Sequence, residues 1–146
     1  EVYGKLVLIY DDNIYDERAL GYRLYYPGDT SSYLYSNPAS PDLKWLVHDN
    51  YNANDPDEKK RHVSNYWDEL LSSYQQDYVM PLLFLNASRW NHTPLAFSEE
   101  VNPWFTKKIA DLGKYDRLGI VFHDYFSWDM SYILIAQNYR KYDIKL

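Results

Sequence analysis

Cysteine is absent from the 146 residues, which excludes a disulfide framework, a thiol nucleophile and thiolate metal ligands. Glycine is scarce, with 5 residues, and no Gly-rich loop follows an apolar run. That weighs against a nucleotide site in which backbone N–H groups cradle phosphates. No apolar run approaches the ~18 residues of a membrane-crossing helix. Basic residues are outnumbered, 15 Lys and Arg against 21 Asp and Glu, for a formal charge of -6. A chain of this sign is not steered toward a polyanion, and no local Lys/Arg cluster overrides it, so nucleic acid is not an expected partner. There is no Gly-x-Ser-x-Gly turn, and no pair of histidines has metal-ligand spacing, so no metal site is expected from them.

Tyrosine is abundant instead, at 17 residues. Its ring is apolar and its hydroxyl needs a partner, which suits strand edges, wet interfaces and sugar-like ligands alike. The chain opens with Glu1-Val2-Tyr3 rather than Met, from which we expect that an upstream segment has been removed. Two glycosylation sequons, at Asn86 and Asn91, lie five residues apart; together they point to a secreted, extracellular glycoprotein.

Four short, nearly continuous apolar runs predict buried strands: Lys5–Tyr10, Leu43–His48, Val79–Leu85 and Leu118–His123. Continuous apolarity, rather than alternation, marks strands covered on both faces in a parallel sheet. Three helices are predicted between and after them. Asp55 caps the first, with Pro56 at its first position and Val63, Tyr66, Trp67, Leu70, Leu71 and Tyr74 on its apolar face. Asn102 caps the second, which closes in a left-handed exit at Gly113. The third runs from about Asp129 to Tyr139. The stretch Asp11–Asp42, rich in Tyr, Pro and Gly, reads as a long connection without regular structure. This order predicts an α/β fold, either a small open sheet or half of an eight-stranded barrel, which needs about 250 residues.

In both architectures chemistry gathers where the strands end. Those ends read Asp11-Asp12, Asp49-Asn50-Tyr51, Asn86-Ala87-Ser88-Arg89 and Asp124-Tyr125. Carboxylates and amides bond hydroxyl groups while tyrosine covers an apolar sugar face, so a polyol ligand fits this rim. Taken singly, each strand-end Asp is equally a turn or capping residue. Alternation sends His48 and His123 to the helix side, as core residues rather than catalysts. His62 is expected to be solvated, and His92 lies near the rim. Asp11, Asp12 and Asp16 form a candidate calcium site without a regular loop spacing.

Five blocks carry a resemblance: Tyr3–Tyr10, Leu43–Tyr51, Pro81–Ser88, Glu99–Phe105 and Arg117–Tyr125. In order and spacing they resemble the X-domain family of bacterial-type phosphatidylinositol-specific phospholipases C. The resemblance runs over nearly the whole chain and is most specific at Asp124-Tyr125 and Asp49-Asn50-Tyr51. It implies that residues 1–146 form the C-terminal half of a TIM-type barrel, about four β/α units. It also implies that the catalytic histidines and an arginine belong to an absent N-terminal half. By this resemblance Asp124 is the catalytic aspartate that orients and charges the general-base histidine. Asp49 and Tyr51 bind and stack on the inositol ring, with Tyr125 beside them. Asp11 or Asp12 stands where the family carries an arginine, which inverts the local charge.

The expected partners are therefore a second polypeptide with the missing half, an inositol lipid headgroup or similar polyol, and a transient membrane surface. No cofactor is expected apart from the candidate calcium ion. Such a half-barrel is expected to leave two sheet edges open and to be inactive alone. The alternative is a non-catalytic secreted binding or structural protein that keeps the fold.

Overall fold

Two apolar runs form the middle of a sheet because each can bury both faces. In the computed structural model, which describes residues 9–10, 22–23, 30–36, 43–75, 78–113, 116–125 and 127–141, these are β4 (Lys44–Asp49) and β5 (Val79–Phe84). The chain order is β1 (Ile9–Tyr10), β2 (Tyr22–Arg23), β3 (Thr30–Ser36), β4, α1 (Pro56–Ser73), β5, α2 (Pro94–Ala110), β6 (Ile120–Phe122) and α3 (Trp128–Lys141). The main sheet runs β3-β4-β5-β6. β4, β5 and β6 are parallel, as expected, while β3 is antiparallel to β4.

Strand alternation divides the sheet into two faces. Leu46 and Leu83 enter a core with Val63, Tyr66 and Leu70 of α1 and Val101, Phe105 and Ile109 of α2. Each such side chain contributes about 1.5–3 kcal/mol on burial. Trp45, Val47 and Leu82 point the other way and pack with Met80, Phe84 and Ile120. The helices α1 and α2 thus lie on one face of the sheet, and the second apolar cluster lies on the other.

Both helix starts follow one signature. Asp55 accepts from the Glu58 backbone N–H and Thr93 accepts from that of Ala96, each directly before a proline at the start of the helix. The proline lacks an N–H that would be unpaired there anyway.

Three expectations need correction. The second helix begins at Pro94 rather than Asn102, because Thr93-Pro94 repeats the Asp55-Pro56 signature and Phe97 and Val101 extend its buried stripe. Pro103 is then inside the helix, where the carbonyl it would have served, that of Glu99, belongs to an exposed turn. Gly113 is not left-handed; the helix ends at Ala110 with Asp111 as its C-cap, and Gly113 donates its N–H to Asp116 Oδ2 at 2.7 Å.

The long connection contains β3, whose Leu34 packs on the helix-side core. β1 pairs with β2, parallel, outside the main sheet. The described residues thus show three parallel β/α units from β4 to α3, and β3 lies along the outer edge of β4.

The β5–β6 junction depends on one glycine. Gly119 has φ +75°, and a Cβ there would lie 2.2 Å from the Pro81 carbonyl oxygen. Pairing with β6 begins one residue later, at Leu82 and Ile120.

Candidate functional site

Asp49 ends β4 on the face of Trp45 and Val47. Its row continues across the sheet through Phe84 and Phe122, which the register pairs. Those two rings stack, centroids 4.5 Å apart and 9° from parallel. Asn86 and Asp124 follow two residues after these phenylalanines, just beyond the ends of β5 and β6. Asp49, Asn86 and Asp124 thus follow one another as an arc along the ends of β4, β5 and β6.

The loops behind this arc are tied together. Ser88 donates its N–H to the Tyr51 carbonyl at 3.0 Å. Arg89 Nη1 donates to the Asn52 carbonyl at 2.9 Å. The Asn54 backbone N–H, and then its side-chain amide, bond Glu58 Oε2 at 2.6 and 2.7 Å and hold that carboxyl below its usual range.

Two helix residues reach the strand ends from behind. Lys59 of α1, fully buried, donates to the Asn50 carbonyl at 2.7 Å. Asn102 of α2, 6% exposed, donates to the Asp124 carbonyl at 3.0 Å and lies 3.5 Å from that of Tyr125. Sequence reasoning missed both as site residues. Lys59 gives no signal within a charged helix start, and Asn102-Pro103 imitates a cap.

Tyr125 has φ 56°, the one non-glycine residue with positive φ among those described. A tyrosine in that conformation costs about 1–3 kcal/mol, and such strain gathers at functional corners. Tyr125 is 55% exposed and Tyr51 41%. Trp90, in the turn after β5, and Trp128, the first residue of α3, are exposed further.

Asp49, Tyr51, Asp124 and Tyr125 thus lie at one end of the sheet. Asp11, Asp12 and Asp16 lie outside the described residues. Among the described residues no three His, Asp or Glu stand together as a metal site, and no helix is long and apolar enough to cross a membrane. Of the sequon asparagines, Asn91 is exposed, while Asn86 has a buried Oδ1 without a hydrogen-bond partner.

His48 is buried against Tyr66 of α1, ring centroids 5.6 Å apart, on the helix side as alternation predicts. His123 is half-buried beside the Asp124 carbonyl. His62 is not solvated as expected: it is half-buried, with Nε2 3.6 Å from Glu58 Oε1. His92 pairs through its backbone with Arg89 and sets its ring edge-on to Phe97.

No protein-family model matches the sequence, and no curated protein does. Solved structures do match. A structure of the phosphatidylinositol-specific phospholipase C of Staphylococcus aureus superposes with a TM-score of 0.64 at 20% identity, over 78% of this chain and 39% of that one. A form of the same enzyme carrying pentafluorophenylalanine gives 0.66 at 19%, with the same coverage. A double mutant gives 0.59 at 21%, over 76% and 38%. At such identities the likeness is one of fold, and the chain spans about two fifths of the length of the structures it matches. It has the α/β fold of part of a phospholipase C-type TIM barrel, of a length that fits the C-terminal half.

Proposed function

We propose that this chain supplies the headgroup-binding rim of a phospholipase C-like phosphodiesterase. The observation that carries this reading is that Asp49 ends β4 while Asn86 and Asp124 follow just beyond the ends of β5 and β6, adjacent strands that run parallel to it. Carboxylates accept hydrogen bonds from ring hydroxyls, and Tyr51 and Tyr125 offer exposed rings to cover an apolar ring face. Asp124 orients and charges a general-base histidine carried by a second polypeptide with the N-terminal half, as the carboxylate of a catalytic triad does. The partly exposed Phe84–Phe122 pair gives that half an apolar surface to cover. One of the matched structures concerns membrane binding by the S. aureus enzyme; exposed Trp90 and Trp128 suit the same transient contact here. The working protein is secreted, and the chain alone does not turn over substrate.

The first test is titration of the full chain with myo-inositol, followed by backbone amide resonances. Shifts centred on Asp49, Tyr51, Asp124 and Tyr125, abolished by Asp49→Asn with Tyr51→Ala, are expected. No shifts, or shifts confined to another surface, would sink the reading. Mixed with a polypeptide carrying the N-terminal half, the chain should then support phosphatidylinositol cleavage. Asp124→Asn should cut that turnover about 10⁴-fold, by analogy with loss of the triad aspartate.

A second reading has its own support. β3 fills the β4 edge, so the sheet is protected there without a partner. That favours a self-contained, non-catalytic polyol-binding protein. Binding of myo-inositol by a 17.5 kDa monomer, with no cleavage on addition of the other half, would select it.

A further inference from the structure

Asn102 stands where a helix gains nothing from asparagine. It occupies the middle of α2, next to Pro103, so two poor helix formers follow one another. Its side chain is 6% exposed and does not serve the helix: Nδ2 donates across to the Asp124 carbonyl at 3.0 Å, with the Tyr125 carbonyl 3.5 Å away. Those two carbonyls flank the left-handed turn at Tyr125, and the one amide nitrogen lies within reach of both. A leucine of similar size would fill the space without donating. An aspartate would set carboxylate oxygens against two carbonyl oxygens.

We infer that Asn102 is the positioning residue of the β6–α3 corner, holding Tyr125 in its left-handed conformation and so aiming its ring along the rim. This rests on the headgroup-binding reading above, and its test separates the two. The backbone coupling constant and Cα shift of Tyr125 report its φ in the full chain without ligand; a myo-inositol titration reports the rim.

Asn102→Asp should move Tyr125 out of the left-handed region and weaken myo-inositol binding about tenfold. A merely structural asparagine would lower the melting temperature and leave affinity per folded molecule unchanged. The double-mutant cycle sharpens this. In a Tyr125→Ala background, where the ring contact is already gone, adding Asn102→Asp should cost less than twofold further in affinity. Asn102→Gln, which keeps the amide but displaces it by one methylene, serves if the aspartate variant does not fold. If the folded variant keeps both the Tyr125 conformation and the wild-type affinity, the inference is overturned. If the wild type binds no myo-inositol, the headgroup reading fails while the φ measurement still decides what Asn102 holds.

Discussion

Lys59 Nζ donates to the Asn50 carbonyl at 2.7 Å from a fully buried position on α1, directly behind the residue that follows Asp49. Desolvating an ammonium group is costly, and a short charge-assisted bond offsets part of that cost. The end of β4 is thereby held to the first turn of the helix it feeds. Lys59→Met removes the donor but also the buried charge, so a net loss of about 1 kcal/mol is expected. Lys59→Glu leaves an uncompensated buried anion facing a carbonyl and should cost more than about 3 kcal/mol. Urea denaturation of both variants measures this. Melting of both like the wild type would mean that the side chain is not held inside.

Tyr125 makes the opposite trade. Its φ of 56° is strained for a tyrosine and free for glycine. Tyr125→Gly should therefore raise stability by about 0.5–1 kcal/mol and abolish the ring contact to a polyol. A variant less stable than the wild type would show that the exposed ring packs on something that outweighs the strain.

The difference between what was legible and what was not follows from range. The central strands announced themselves because burial on both faces leaves a run with no polar interruption, and Asp55-Pro56 signals a helix start on its own. The position of Asp49 and Asp124 followed from strand ends alone. β3 was hidden because its apolar content is carried by tyrosine and its partner lies across a loop: Leu34 is set by pairing with Leu46 and packing on the helix side. Asn102 was misplaced because local sequence cannot distinguish a cap from a buried amide whose acceptor is 22 residues away. The Thr93-Pro94 signature is present in the sequence, overlapping the sequon at Asn91.

Gly119→Ala tests how closely β6 must approach β5. The new Cβ would sit 2.2 Å from the Pro81 carbonyl oxygen, at φ +75°, and backbone cannot yield as a flexible side chain can. Strain and displacement together should cost at least about 2 kcal/mol. The amide resonances of Phe122 and Asp124 should shift with it, because β6 enters its ladder one residue later. A variant with wild-type melting temperature would mean that β6 joins the sheet in another register.

Tyr66 sets the response to alkali. It is fully buried, and desolvation holds its hydroxyl protonated well above the usual tyrosine range while that hydroxyl donates to the Leu46 carbonyl at 3.1 Å. In the unfolded chain the same group ionises near pH ~10. Below that pH both states keep the proton and its contribution is fully present. Above it the unfolded state releases a proton that the folded state retains, so stability falls as pH rises. The slope for one such group approaches about 1.4 kcal/mol per pH unit. Tyr66→Phe loses the hydrogen bond and should be less stable by about 1 kcal/mol at pH 8. It also loses the titrating group, so the gap to the wild type should close near pH ~11. Denaturant unfolding of the pair across pH 8–11 makes the comparison, with the remaining tyrosines cancelling between the two proteins. A gap that stays constant over that range would mean that Tyr66 meets water, and that α1 does not seal the helix side of β4.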